Sequence, residues 1–162
     1  MKHPLILALA ASLSFTASAA DKEAPAKPAE AKPGQTAPNN AKMHEGVWKP
    51  IAAVLGGVRL EPSALKAITL KITGEKYEVI VEGEPESDKG TCALDTSTSP
   101  KRMTIKSTDG PNKGKTILAI YEMKDAGSMR VCYDMSGTDF PKEFKAPKGS
   151  QFYLAGYRRQ KD

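Results

Sequence analysis

The stretch Ile68-Thr69-Leu70-Lys71-Ile72-Thr73-Gly74-Glu75-Lys76-Tyr77-Glu78-Val79-Ile80-Val81 holds two short alternating patterns. Ile68, Leu70 and Ile72 form one apolar set, and Tyr77, Val79 and Val81 form the next. Successive side chains of a strand project to opposite faces, so each half reads as a strand with one apolar face. The segment between them, Thr73-Gly74-Glu75-Lys76, has the length and glycine of a tight hairpin. The same period recurs downstream in Cys92 and Leu94, in Met103 and Ile105, and in Met129, Val131 and Tyr133. Thr116 to Met123 is apolar on both faces, as in a strand covered from two sides. Gln151 to Arg158 makes a last strand and Gly46 to Val54 a first one.

Turn chemistry separates these runs. Ser97-Thr98-Ser99-Pro100, Asp109-Gly110-Pro111-Asn112-Lys113-Gly114 and Lys124-Asp125-Ala126-Gly127 fall between them. About eight strands recurring every 8–12 residues suggest a sandwich or barrel. Eight strands joined by hairpins close into an up-and-down antiparallel barrel, which leaves no exposed edge. The one helix signal is Glu61-Pro62-Ser63-Ala64-Leu65-Lys66, with Pro62 where a first turn tolerates it.

The 162 residues are more than this domain needs. Met1 to Pro4 is a short positive start, Leu5 to Phe15 is almost wholly apolar, and Ala17-Ser18-Ala19 has the small residues of a cleavage site. That pattern predicts a secretory signal peptide over residues 1–19. The apolar run is shorter than the roughly 20 residues of a membrane span, and no second run of spanning length follows. Residues 20–42 are rich in Ala, Lys and Pro, with no aromatic or branched apolar side chain. They are expected to be a disordered linker, either a tether or a passive leader. The folded domain is expected over residues 43–162, in an exported protein, periplasmic or secreted, and monomeric.

Composition excludes several classes. Two Cys and two His in the whole chain rule out a disulfide-dense scaffold and a multi-cysteine zinc site. The net charge of +5 falls to +3 over residues 43–162, where 19 Lys and Arg face 16 Asp and Glu. These charges interleave and form no basic stripe, so nucleic acid is not an expected partner.

Gly46-Val47-Trp48 opens the domain, and Arg158-Arg159 ends its last strand. This resembles the lipocalin and wider calycin pattern, in which a basic side chain from the final strand covers a Trp at the closed end of the barrel. A guanidinium suits that place because it stacks on an indole face while its N–H groups cap carbonyls. Strand phase groups Arg158 with Leu154 and Arg159 with Tyr157, whereas the resemblance favours Arg159, so the choice stays open at this point. The strings GVWKPIAAVLGG, ITLKITGEKYEV, SPKRMTIKSTDGPNKGKTILAIYEMK and MRVCYDMSG look like a family of small exported lipocalin-like domains abundant in planctomycete bacteria. That resemblance implies a lipocalin-like barrel and carries no activity with it. Cys92, where the family usually has an aromatic, and Gly156 within the last strand depart from the pattern.

Little in the sequence points to catalysis, and no catalytic residue, metal ligand or cofactor is assigned. Gly110 to Thr116 has three residues between its glycines where a phosphate-binding loop has four, and a strand follows instead of a helix. His44 is expected to be solvated at the domain edge. Glu82, Glu84, Glu86 and Asp88, interrupted by Gly83 and Pro85, read as a solvated acidic hairpin. Cys92 shares the phase of Leu94 while Cys132 opposes that of Val131, so two free thiols are expected.

These features suggest a non-enzymatic binding module. Its expected ligand-facing interior is Leu70, Ile72, Tyr77, Val79, Val81, Leu94, Met103, Ile105, Leu118, Ile120, Met129, Val131, Phe152 and Leu154. Its partner would be a small apolar or amphiphilic molecule. The alternative is a protein-interaction module, an inhibitor or envelope scaffold that engages another exported protein through its loops. There, Phe140 and Phe144 would form an exposed anchor unless they pack as a lid over the barrel mouth.

Overall fold

A computed structural model describes residues 42–161. The signal peptide expected at residues 1–19 and nearly all of the expected linker lie outside the described residues. Residues 42–44 are helical and lead into β1 (Gly46–Leu55). There follow a two-residue β2 (Val58–Arg59), the helix α1 (Pro62–Ala67), and strands β3 (Ile68–Thr73), β4 (Lys76–Val81) and β5 (Asp88–Asp95). The chain continues through β6 (Lys101–Asp109), β7 (Thr116–Asp125), β8 (Ser128–Asp134) and β9 (Phe152–Arg159). Each strand from β3 to β9 pairs antiparallel with the next. β1 pairs with both β3 and β9, which closes an eight-stranded antiparallel barrel. β2 is a short appendage to β1.

The β3–β4 hairpin forms as its alternation predicts. Leu70 lies opposite Val79 and Ile72 opposite Tyr77, with Gly74 in the left-handed region at the turn. α1 starts on Pro62 and stops at Ile68, whose backbone is extended and whose N–H bonds to Leu65 O. In β1 the register slips between Pro50 and Ala52. Proline has no N–H for the ladder, so the strand bulges there and Ile51 is pushed out, 59% exposed. Trp48 and Pro50 precede the bulge on the inner face, and Ala53 takes over after it. A side chain at Gly90 would place its Cβ 2.0 Å from Lys106 O, so β5 and β6 can cross only because that residue is glycine.

The interior phase differs from expectation on two strands. On β7 the inward side chains are Ile117, Ala119 and Tyr121, so Leu118 and Ile120 point outward. On β9 they are Tyr153, Ala155 and Tyr157, so Phe152 and Leu154 also point outward. The outer row runs from Arg102 through Ile120 and Cys132 to Leu154, with Thr104, Leu118, Asp134 and Phe152 beside it. This outer wall is apolar because residues 135–151 lie across it as a strap, leaving Ile120 and Cys132 at 1% and 0% exposure.

The strap is held at many points. The Arg102 guanidinium sits 4.6 Å over the Phe140 ring, and that of Arg130 sits 4.0 Å over Phe144. The Cys132 thiol donates to Lys145 O at 3.3 Å. The Asp134 carboxylate accepts the backbone N–H groups of Ser136, Thr138 and Asp139. At the far end Gly149 N–H bonds to Gly56 O, and Gly57 leaves no room for a Cβ beside Lys148. Phe140 and Phe144 are therefore neither an exposed anchor nor a lid over the barrel mouth; they pack on the side of the barrel.

Candidate functional site

Loops of an up-and-down barrel alternate between its two ends. The chain entry, the β3–β4 turn and the β7–β8 turn share one end; the β4–β5, β6–β7 and β8–β9 connections share the other. The first end is closed. Trp48 is 0% exposed there, and its indole N–H donates to His44 O at 2.9 Å. Arg159 settles the alternative left by the sequence: its guanidinium lies 4.7 Å over the Trp48 ring and donates to Met43 O. Arg158 points outward to Ser128 Oγ at 2.8 Å. His44 is buried, not solvated as expected, with its ring edge-on to Tyr121 at 4.7 Å. It is buried because the carbonyl that satisfies the Trp48 indole belongs to it.

Between this floor and the other end lies a cavity of about 450 Å³. A volume of that order suits a small organic molecule. Of the residues expected to face a ligand, Leu70, Ile72, Tyr77, Val79, Val81, Met103, Ile105 and Met129 line it. Leu94 and Val131 are inward and buried but stand outside its wall. Leu118, Ile120, Phe152 and Leu154, on the outer face, take no part. The cavity also draws on residues the sequence did not single out for it: Leu55, Leu60, Ile68, Cys92, Ile117, Tyr133, Met135, Tyr153 and Tyr157. Cys92 and Tyr133 share the phase of Leu94 and Val131, so strict alternation could have added them. Tyr153 and Tyr157 follow only once the phase of β9 is known.

Polar groups gather at two places on this wall. At the mouth, Asp88 accepts Ser107 Oγ at 2.6 Å, Tyr77 OH at 3.1 Å and Asn112 Nδ2 at 3.3 Å. Burial, with the Asp88 charge adding to it, pushes the Tyr77 phenol up to about 12. Glu82, Glu84 and Glu86 are exposed on the β4–β5 connection, a solvated acidic loop as expected, and Glu84 and Glu86 also line the cavity mouth beside Asp88. Deeper in, the Tyr133 and Tyr157 hydroxyls are 3.1 Å apart, and Tyr133 stacks on Tyr153 with ring centroids 5.6 Å apart. Burial drives the Tyr157 phenol well above its ordinary range.

Cys92 and Cys132 are both free thiols, on opposite faces of the wall as their phases indicated. Burial, aided by the charge of Glu75, pushes Cys92 up to about 11, so at neutral pH it is a protonated and weakly nucleophilic wall residue. Among the described residues no group of three His, Cys, Asp or Glu is placed to hold a metal ion. No described helix is long and apolar enough to cross a membrane. Gly110 to Lys115 is a turn between β6 and β7, closed by Lys113 N–H to Gly110 O and Lys115 N–H to Asn112 O. What this arrangement can do is enclose an apolar body and meet a polar head at the rim. Comparison of the chain with family models, curated proteins and solved structures finds no match in any of the three.

Proposed function

We propose that this chain is an exported, non-enzymatic binding module whose barrel holds a small apolar or amphiphilic molecule. The observation that carries this is the continuous apolar cavity of about 450 Å³ inside a closed barrel. Eight-stranded barrels are either filled by their own side chains or hold one small ligand, and here room remains. Export is supported by the leader sequence, and a lipocalin-like kinship by Gly46-Val47-Trp48 with Arg159 above the indole. The protein-partner alternative loses its main support, because Phe140 and Phe144 are engaged by Arg102 and Arg130.

The test is binding of a neutral apolar fluorophore such as N-phenylnaphthylamine, whose emission rises on leaving water. The protein should enhance it saturably at one site. Val79→Trp, which puts a large side chain into a half-buried position on the wall, should abolish the enhancement while the melting transition stays cooperative. No saturable enhancement by the parent protein, or equal enhancement by the filled variant, would overturn the proposal. Native mass spectrometry of protein taken from the exported fraction then asks for a co-purifying small molecule.

A further inference from the structure

The cavity wall carries charge of one sign only. Its lining includes the carboxylates of Glu84, Glu86 and Asp88 and no Lys or Arg. Asp88 already receives three donors, but among the described residues neither Glu84 nor Glu86 belongs to an ion pair. The nearby cation Lys115 donates to Asn112 Oδ1 at 3.2 Å, and its ammonium is outside the lining. Four of the chain's five tyrosines, Tyr77, Tyr133, Tyr153 and Tyr157, line the same cavity. Of these, Tyr77 stands at the mouth, where its hydroxyl donates to Asp88. Residues 43–162 carry a net charge of +3, with 19 Lys and Arg against 16 Asp and Glu, so the domain's long-range field draws anions. The cavity opposes that field at short range.

We infer that the ligand is an amphiphile with a cationic head: its apolar body fills the barrel and its amine or ammonium sits at the rim of Glu84, Glu86 and Asp88. This rests on the proposal that the cavity is a ligand site and adds the sign of the ligand. An apolar tail is accepted by the aliphatic wall of Leu70, Ile105 and Met129 whatever the head. Selection falls to the rim, where an anionic head meets unpaired carboxylates.

Three ten-carbon probes, decylamine, decanol and decanoate, separate the two proposals when each displaces the bound neutral fluorophore at neutral pH and low salt. Two exposed carboxylates, each worth a few tenths to one kcal/mol, give an expected preference of about tenfold for decylamine over decanoate, with decanol between. Glu84→Gln combined with Glu86→Gln, both at exposed positions, should shrink the gap to about twofold and leave decanol unchanged. Added salt should shrink it in the same way. Equal displacement by all three probes, or a gap that survives the double substitution, overturns the cationic head and leaves the cavity as a ligand site. Stronger displacement by decanoate overturns it too. Failure of every probe, together with failure of the fluorophore to bind, overturns both proposals.

Discussion

Replacing Arg159 by alanine removes two things at once from the barrel floor. One is the guanidinium 4.7 Å above Trp48, a partly buried contact worth about 1–1.5 kcal/mol. The other is the cap on the Met43 carbonyl, a charge-assisted bond worth about 1 kcal/mol where water can partly replace it. Because the two share one side chain they do not simply add, and a loss of about 2 kcal/mol, below their sum, is expected. With a urea dependence of about 1–1.5 kcal/mol per molar for a domain of this size, the unfolding midpoint should fall by about 1.5 M. Trp48 is the chain's single tryptophan, so its emission reports the transition without interference. Arg159→Lys should recover only part of the loss, since an ammonium cannot lie flat on the indole while it donates to the carbonyl. Arg158→Ala, whose exposed side chain donates to Ser128 and lies near Asp125, should leave the midpoint almost in place. Equal losses at Arg158 and Arg159, or no loss at Arg159, would refute the covered-floor account.

Three further outcomes can be checked. Phe144→Ala removes the ring under Arg130 and loosens the strap, so native alkylation of Cys132 should accelerate at least tenfold while Cys92 stays slow, read by mass spectrometry of the two thiol peptides; unchanged Cys132 kinetics would mean the strap does not shield it. Cys92 rises from 9.0 to about 11 on folding, and Tyr77 and Tyr121 from 10.0 to about 12, so the native state holds protons that the unfolded chain gives up earlier. Stability is therefore full below about pH 9 and falls through 9–12, Cys92→Ala should remove part of the early fall, the buried Cys132 thiol, also raised, holding the remainder, and a flat urea midpoint from 9 to 11 would contradict the burial of the thiols. Gly90→Ala drives a methyl group into Lys106 O and should cost at least about 3 kcal/mol in thermal or urea unfolding, whereas Gly127→Ala, with its nearest neighbour 3.5 Å away, should be tolerated; similar behaviour of the two would refute the close crossing of β5 and β6.

The β3–β4 hairpin was readable because the inner wall there is apolar and the outer wall is wet, so alternation marks the inside. The same rule misplaced Leu118, Ile120, Phe152 and Leu154 because the strap buries the outer face of β7, β8 and β9. Once both faces are covered, apolarity no longer tells them apart, and nothing near Thr116–Met123 announces a strap that comes from residues 135–151. The wrong phase on β9 also left Arg158 and Arg159 unresolved and hid Tyr153 and Tyr157 from the cavity. The acidic run was recognised as a loop from Gly83 and Pro85, but its place at the mouth depends on counting strands, since every second connection of such a barrel shares an end. His44 escaped for a different reason: its burial follows from a carbonyl that Trp48 requires, and no side-chain pattern records that.

The seam between β1 and β9 pairs Trp48 with Arg159, residues from opposite ends of the described chain. Contacts so distant in sequence pay the largest loop-closure entropy and form slowly. Every other barrel pairing joins strands close in sequence, by hairpins or, for β1 and β3, across the short β2–α1 connection, so the cylinder exists only after its last-made strand arrives. Until then β1 and β8 would stand as open edges able to recruit strands from other copies. A chain ending before Phe152 would therefore lose the cavity entirely and expose two sticky borders, which makes the final eight-residue strand the quality check on the whole molecule.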